Sequence, residues 1–149
     1  MFTKTIFATF IATQILFALT ILATSTAQAQ TFTGARFYLN RGNDRYAQGK
    51  WKQAIADYDT AITFEPRNAA IFNARGLAWL EMKDYGLAIR DFNRAIKLAP
   101  DLAAAYANRG LARLRQGQEA KASQDFIKCL KLDESLRAYV AELKSKNAQ

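Results

Sequence analysis

Arginine and aspartate recur at one fixed offset in this chain: Arg41 with Asp57, Arg75 with Asp91, and Arg109 with Asp125, each pair sixteen residues apart. A guanidinium and a carboxylate meet in two parallel hydrogen bonds, so the chemistry of this pattern is ion pairing. It serves either as a register-setting contact, within or between neighbouring helical units, or as an arginine row for a ligand, and the first reading is the stronger. Catalysis finds little else to work with. The chain has no histidine and one cysteine, Cys129, which removes the commonest general base, the usual metal-ligand sets and any internal disulfide. Neighbouring acids such as Asp57 and Asp59 come without a nucleophile elbow or a glycine-rich phosphate loop, so no catalytic site, metal or other cofactor is implied.

The elements that must position these pairs follow a period of thirty-four residues. Gly42, Gly76 and Gly110 keep that step, as do Ala54, Ala88 and Ala122, then Tyr58, Phe92 and Phe126, then Ala61, Ala95 and Cys129. Pro66 and Pro100 repeat once, with Glu134 in the third place. Apolar residues at i, i+3, i+4 and i+7, as in Ala54, Ile55, Tyr58, Ala61 and Ile62, predict amphipathic helices. Each unit is expected to hold a first helix (about 35–48, 69–82, 103–116) and a second (about 52–64, 86–98, 119–132). The breaks at Gly49-Lys50, Lys83-Asp84 and Gly117-Gln118 are short, so paired helices run antiparallel. Glycine and alanine lack bulk where the helices cross, and Tyr58, Phe92 or Phe126 fills the adjoining space. Cys129 falls at the small inward position, which predicts a buried, inert thiol, and Trp51 and Trp79 read as packing anchors.

Over residues 35 to 134 this pattern resembles the tetratricopeptide repeat (TPR) family. The resemblance implies an all-α, right-handed α-solenoid of three helix-turn-helix units, at 35–68, 69–102 and 103–136, with a C-terminal capping helix at 134–147. In the family the first helices line a concave groove. Carried over position by position, its wall is Arg36, Leu39, Asn43, Tyr46 and Ala47, then Ala70, Asn73, Leu77, Leu80 and Glu81, then Ala104, Ala107, Leu111, Leu114 and Arg115. The leucines at 77, 80, 111 and 114 also fit simple packing between helices. The implied function is a non-catalytic scaffold that binds a partner protein or peptide. Some relatives clamp a C-terminal carboxylate with lysine, asparagine and arginine; here only Asn43 matches, and Leu39, Ala74, Ala104 and Asn108 hold the other clamp places.

Charge and the N-terminal segment bound the setting. The formal net charge is +8, with Lys and Arg spread along the sequence rather than in runs, which reads first as a solvated basic surface. Lys4 precedes an apolar stretch from Ile6 to Ala23, followed by small residues at Ala27 and Ala29. Residues 1–29 are therefore expected to be a secretory signal peptide, or an uncleaved membrane anchor, with 30–34 as a linker. Both readings export the domain, to a periplasm or to the outer side of the inner membrane. That setting argues against nucleic acid and leaves an acidic envelope polymer or an anionic membrane surface as the alternative partner for a basic scaffold, with self-association open at the uncapped first unit.

Overall fold

The computed structural model describes residues 20–21 and 33–145, and within them the chain is all helix and turn. Helix α1 covers 33–47, followed by α2 (Trp51–Phe64), α3 (Ala69–Glu81), α4 (Tyr85–Leu98), α5 (Ala103–Arg115) and α6 (Glu119–Leu132). A 3-10 turn, Glu134–Leu136, leads into α7 (Arg137–Ser145). Consecutive helices pack as hairpins, and each hairpin stacks on the next through α2 against α3 and α4 against α5. The first helices also touch one another, α3 with α5 and α5 with α7, so they form a continuous inner layer.

The hairpins close because each turn has a residue that reverses the chain. Gly49, Lys83 and Gly117 occupy the same register and all take positive φ, at 73°, 63° and 76°. Two are glycine, which adopts this conformation without a Cβ clash; Lys83 adopts it at a cost. New helices start with side-chain caps at Asn68, whose Oδ1 accepts from the Ala70 amide at 3.0 Å, and at Asp84, which accepts from Leu87 at 3.3 Å.

The expected crossing is present in all three units. A Cβ on Gly42 would lie 2.6 Å from the Tyr58 ring, on Gly76 2.6 Å from Phe92, and on Gly110 2.8 Å from Phe126. Only a hydrogen fits there, and the helices approach until the ring fills the gap. Ala54, Ala88 and Ala122 are fully buried beside these rings, and Cys129 is buried with them. Burial pushes the Cys129 thiol up, with Asp133 adding to the shift, as befits an unreactive packing residue.

Helix α7 keeps the register of a further first helix. Arg137 follows Ala103 by one period, and Val140 and Leu143 bury against Tyr106, Ala107 and Phe126. At the glycine register stands Lys144, its ammonium 5.2 Å from the centre of the Phe126 ring. This register thus carries a long basic side chain where the three preceding units carry glycine.

Two expected boundaries shift. The capping helix begins at Arg137 rather than at 134, because Asp133 accepts from the Ser135 amide at 2.9 Å and tightens the entry into a 3-10 turn; 146–147 lie outside the described residues. Residues 33 and 34, expected in the linker, are already helical: Gly34 packs on Phe64, and Tyr38 stacks on the same ring with centroids 5.9 Å apart. Of the segment 1–29, only Thr20 and Ile21 are described, so the signal or anchor falls outside the described residues.

Candidate functional site

The repeated arginines and aspartates pair within each unit. Arg41 donates to Asp57 through Nη2 at 2.6 Å, Arg75 to Asp91 through Nη2 at 2.7 Å and Nε at 2.8 Å, and Arg109 to Asp125 through Nη2 at 2.6 Å and Nε at 3.0 Å. All three carboxylates are buried. The arginines also reach backwards: Nη1 of Arg75 donates to Asp59 at 2.6 Å, and Nη1 of Arg109 to Asn93 at 2.7 Å. Each such arginine ties its own hairpin and staples it to the previous one. The guanidinium pKa of Arg75 is raised, chiefly because Asp91 accepts from it, against burial, with Asp59 adding to the rise. Asp57 and Asp125 have a second arginine, Arg45 at 2.8 Å and Arg113 at 2.7 Å. At that register the middle unit carries Trp79, so Asp91 relies on Arg75. All three arginines of the row are thus engaged in structural ion pairs.

On the inner layer the groove residues divide. Asn43 Oδ1 accepts from the Tyr58 hydroxyl at 2.9 Å, Asn73 Oδ1 accepts from Asn108 Nδ2 at 3.0 Å, and Asn108 Oδ1 accepts from the Tyr139 hydroxyl at 2.8 Å. Tyr46 donates to Glu81 at 3.4 Å across the first two units. These bonds hold the carbonyl ends of Asn43 and Asn73, and among the described residues no hydrogen bond uses their Nδ2 groups. The two Nδ2 groups are therefore left with N–H donors to offer. Burial raises the Tyr46 and Tyr58 phenols to about 12, with Glu81 contributing at Tyr46 and Tyr46 itself at Tyr58. Burial also raises Tyr139.

Some expected groove residues serve packing. Leu80 is buried at 8% exposure beneath Ala112, and Ala107 is fully buried in the third core. The reasons differ: α5, through Ala112, packs over the end of α3 at Leu80, whereas Ala107 is enclosed by α6 and by Val140 and Leu143 of α7. Leu77, Leu111 and Leu114 are half-buried against these same cores, and Leu39 sits against the first. Arg36, Ala47, Ala70, Glu81 and Arg115 are exposed. Leu80, Glu81, Leu111 and Arg115 nevertheless meet, with Lys83 and Tyr85, around a cavity of about 140 Å³. Sequence reasoning missed that the hydroxyls of Tyr58, from the core, and Tyr139, from α7, hold inner-face asparagines. For Tyr58 a signal existed, since it alone carries a hydroxyl where the other units have phenylalanine.

Comparison with known families and structures agrees with this architecture. A family model described as TPR repeat matches residues 42–83 and 80–117, and one described as tetratricopeptide repeat matches 103–136. The second TPR domain of human RPAP3, solved in complex with the HSP70 peptide SGPTIEEVD, is 33% identical, with 80% of this chain and 98% of that chain covered at a TM-score of 0.71. The second TPR of Spaghetti (RPAP3), bound to the HSP90 peptide SRMEEVD, is 33% identical over 72% of this chain and 99% of that one, at a TM-score of 0.69. The Arabidopsis OM64 TPR domain shares the fold at a TM-score of 0.73 and 24% identity, covering 79% of this chain and 97% of its own. No curated protein matches the sequence.

Proposed function

The chain belongs to the tetratricopeptide repeat family, and on that footing we propose that it is a non-catalytic scaffold that binds a partner protein or peptide along the inner face of its first helices. What supports this most is the presentation of Asn43 and Asn73, whose carbonyls are held by Tyr58 and Asn108 and whose amide N–H groups are left to donate. An extended peptide offers backbone carbonyls to such donors, and half-buried Leu77 and Leu111 offer apolar contact.

The partner differs from the EEVD-ending peptides seen with RPAP3. Where the clamp requires cations this chain has Leu39, Ala104 and Asn108, and the amide of Asn108 is committed at both ends, to Asn73 and to Tyr139. The ligand is recognised by its backbone and apolar side chains instead of a terminal carboxylate.

We also infer that the domain works outside the cytoplasm, on the strength of Lys4, the apolar run Ile6–Ala23 and the small residues Ala27 and Ala29. A mature N-terminus at Gln30, or retention in the membrane fraction with the domain outside, supports this; a cytoplasmic chain that keeps Met1 refutes it.

The test of the groove is selection from a displayed library of random peptides against the full chain. Enriched peptides should lose at least roughly ten-fold in affinity when Asn43 and Asn73 are both replaced by alanine, two hydrogen bonds being worth about that much, and be indifferent to Lys50→Gln. Enrichment insensitive to the asparagines, or none at all, refutes the reading.

A further inference from the structure

The second helices α4 and α6 carry an outward face of one charge. On α4, Arg90, Arg94 and Lys97 are exposed at i, i+4 and i+7; on α6, Lys121, Lys128 and Lys131 are exposed. None of the six takes part in an ion pair among the described residues. The acids of these helices are elsewhere: Asp91 and Asp125 are buried under the repeated arginines, and Glu119 alone is exposed, at the start of α6. Together α4 and α6 thus expose six cations against one acid, Glu119.

Repeat symmetry aligns the two helices. Arg94 lies 5.7 Å from the centre of the Phe72 ring and Lys128 lies 6.0 Å from that of Tyr106, the same contact one period on. Arg94 thus rows with Lys128, and Lys97 with Lys131. The first unit has Thr60 and Thr63 at these registers, so the basic face belongs to the second and third units.

Within it stands Ile127, 68% exposed, next to Lys128 and one turn before Lys131. Its equivalents Asp59 and Asn93 are polar and each accepts from an arginine of the following unit. One period after Arg109 the arginine is replaced by buried Leu143, and the polar acceptor has become an isoleucine left in water.

The geometry points to this face as a docking surface for an anionic phospholipid bilayer, with the cations at the headgroups and Ile127 entering the apolar boundary. A negatively charged bilayer rewards clustered Lys and Arg, and it alone among polyanions also offers an apolar phase to a side chain set among them. A nucleic acid would use the cations and leave Ile127 exposed. The first helices form the other layer of the units, so the groove stays open when the second helices are docked.

The test is co-sedimentation of the full chain with vesicles of phosphatidylcholine and with vesicles of equal parts phosphatidylcholine and phosphatidylglycerol. Residues 6–23 would partition into both, so the readout is the ratio of the two affinities. The phosphatidylglycerol vesicles should be preferred, and the preference should fall roughly a hundred-fold when Arg90→Gln, Lys97→Gln and Lys131→Gln are combined, at roughly five-fold per cation. Removing as many charges with Lys50→Gln, Lys52→Gln and Lys83→Gln should leave it within about two-fold, since Lys50 and Lys83 stand in hairpin turns and Lys52 on α2, none of them on α4 or α6. Ile127→Ser should lower it several-fold, and circular dichroism should show every variant folded. No preference, or an equal loss in the Lys50, Lys52 and Lys83 variant, overturns the proposal. So does duplex DNA bound as tightly as the vesicles and indifferent to Ile127→Ser.

Discussion

The hydroxyl of Tyr139 donates to Oδ1 of Asn108 at 2.8 Å, so the terminal helix satisfies the buried amide at the centre of the third unit's inner face. The other end of that amide donates to Asn73, which makes a hydrogen-bonded line from α7 through α5 to α3. Tyr139→Phe keeps the ring and deletes the donor, leaving a buried carbonyl short of one bond. The expected loss is about 1–2 kcal/mol. It is read as a lower denaturant midpoint at unchanged slope, and an unmoved midpoint counts against the line as a source of stability.

The arginines are not equivalent, although the sequence repeats them faithfully. Arg75→Ala strands the Asp91 carboxylate and frees Asp59, while Arg109→Ala leaves Asp125 with Arg113. Breaking a mostly buried pair costs about 3 kcal/mol, and a carboxylate that keeps one arginine loses about half of that. Chemical denaturation of the two variants side by side should rank them in that order. Charge exchange, Arg75→Asp with Asp91→Arg, should recover part of the loss because the pair is a contact between two side chains; a double variant no better than the worse single one refutes it.

Glycine at one register is a packing device and elsewhere a weakness. Gly76→Ala would set a methyl 2.6 Å from Phe92, and overpacking of this kind costs about 1–3 kcal/mol. Gly86 lies on the exposed side of α4 with only Asp84, at 4.0 Å, near an added Cβ. Gly86→Ala should therefore stabilise by about 0.5–1 kcal/mol through helix propensity. Lys83→Gly should also stabilise, by relieving a left-handed lysine at φ 63°. Thermal melts that failed to give opposite signs for Gly76→Ala and Gly86→Ala would contradict the crossing.

These contrasts also mark how far the sequence alone reaches. The crossings of Gly42 on Tyr58 and the pairing of Arg75 with Asp91 were legible because both are local to one hairpin, and a period repeats local geometry. Leu80 and Ala107 were placed on the groove and are buried because their fate depends on how closely the next unit stacks, which no residue within their own hairpin states. The role of Asn108 was hidden for a related reason: its partner Tyr139 comes from α7, outside the three repeats. The basic outer face was invisible in linear order, since folding buries Asp91 and Asp125 and leaves their neighbouring cations exposed.

Alkaline titration probes the tyrosines of the inner face directly. Tyr46 and Tyr58 are raised to about 12 by burial, above the ordinary value near 10, and Tyr139 moves the same way. Between about 10 and 12 the unfolded chain has lost tyrosine protons that the folded chain retains, so their contribution to stability falls as pH rises through that window; the raised Cys129 thiol begins to lower stability earlier, from about 9. Denaturant midpoints should be flat from neutral pH to about 9, decline as the Cys129 thiol contributes, and drop further beyond about 10. Tyr58→Phe should flatten part of the drop, because its phenol donates to Asn43 only while protonated. Phenolate absorbance that rose in the native protein at the ordinary value for Tyr46 and Tyr58 would show these side chains open to water, and the inner face would then lack the fixed amides on which peptide recognition depends.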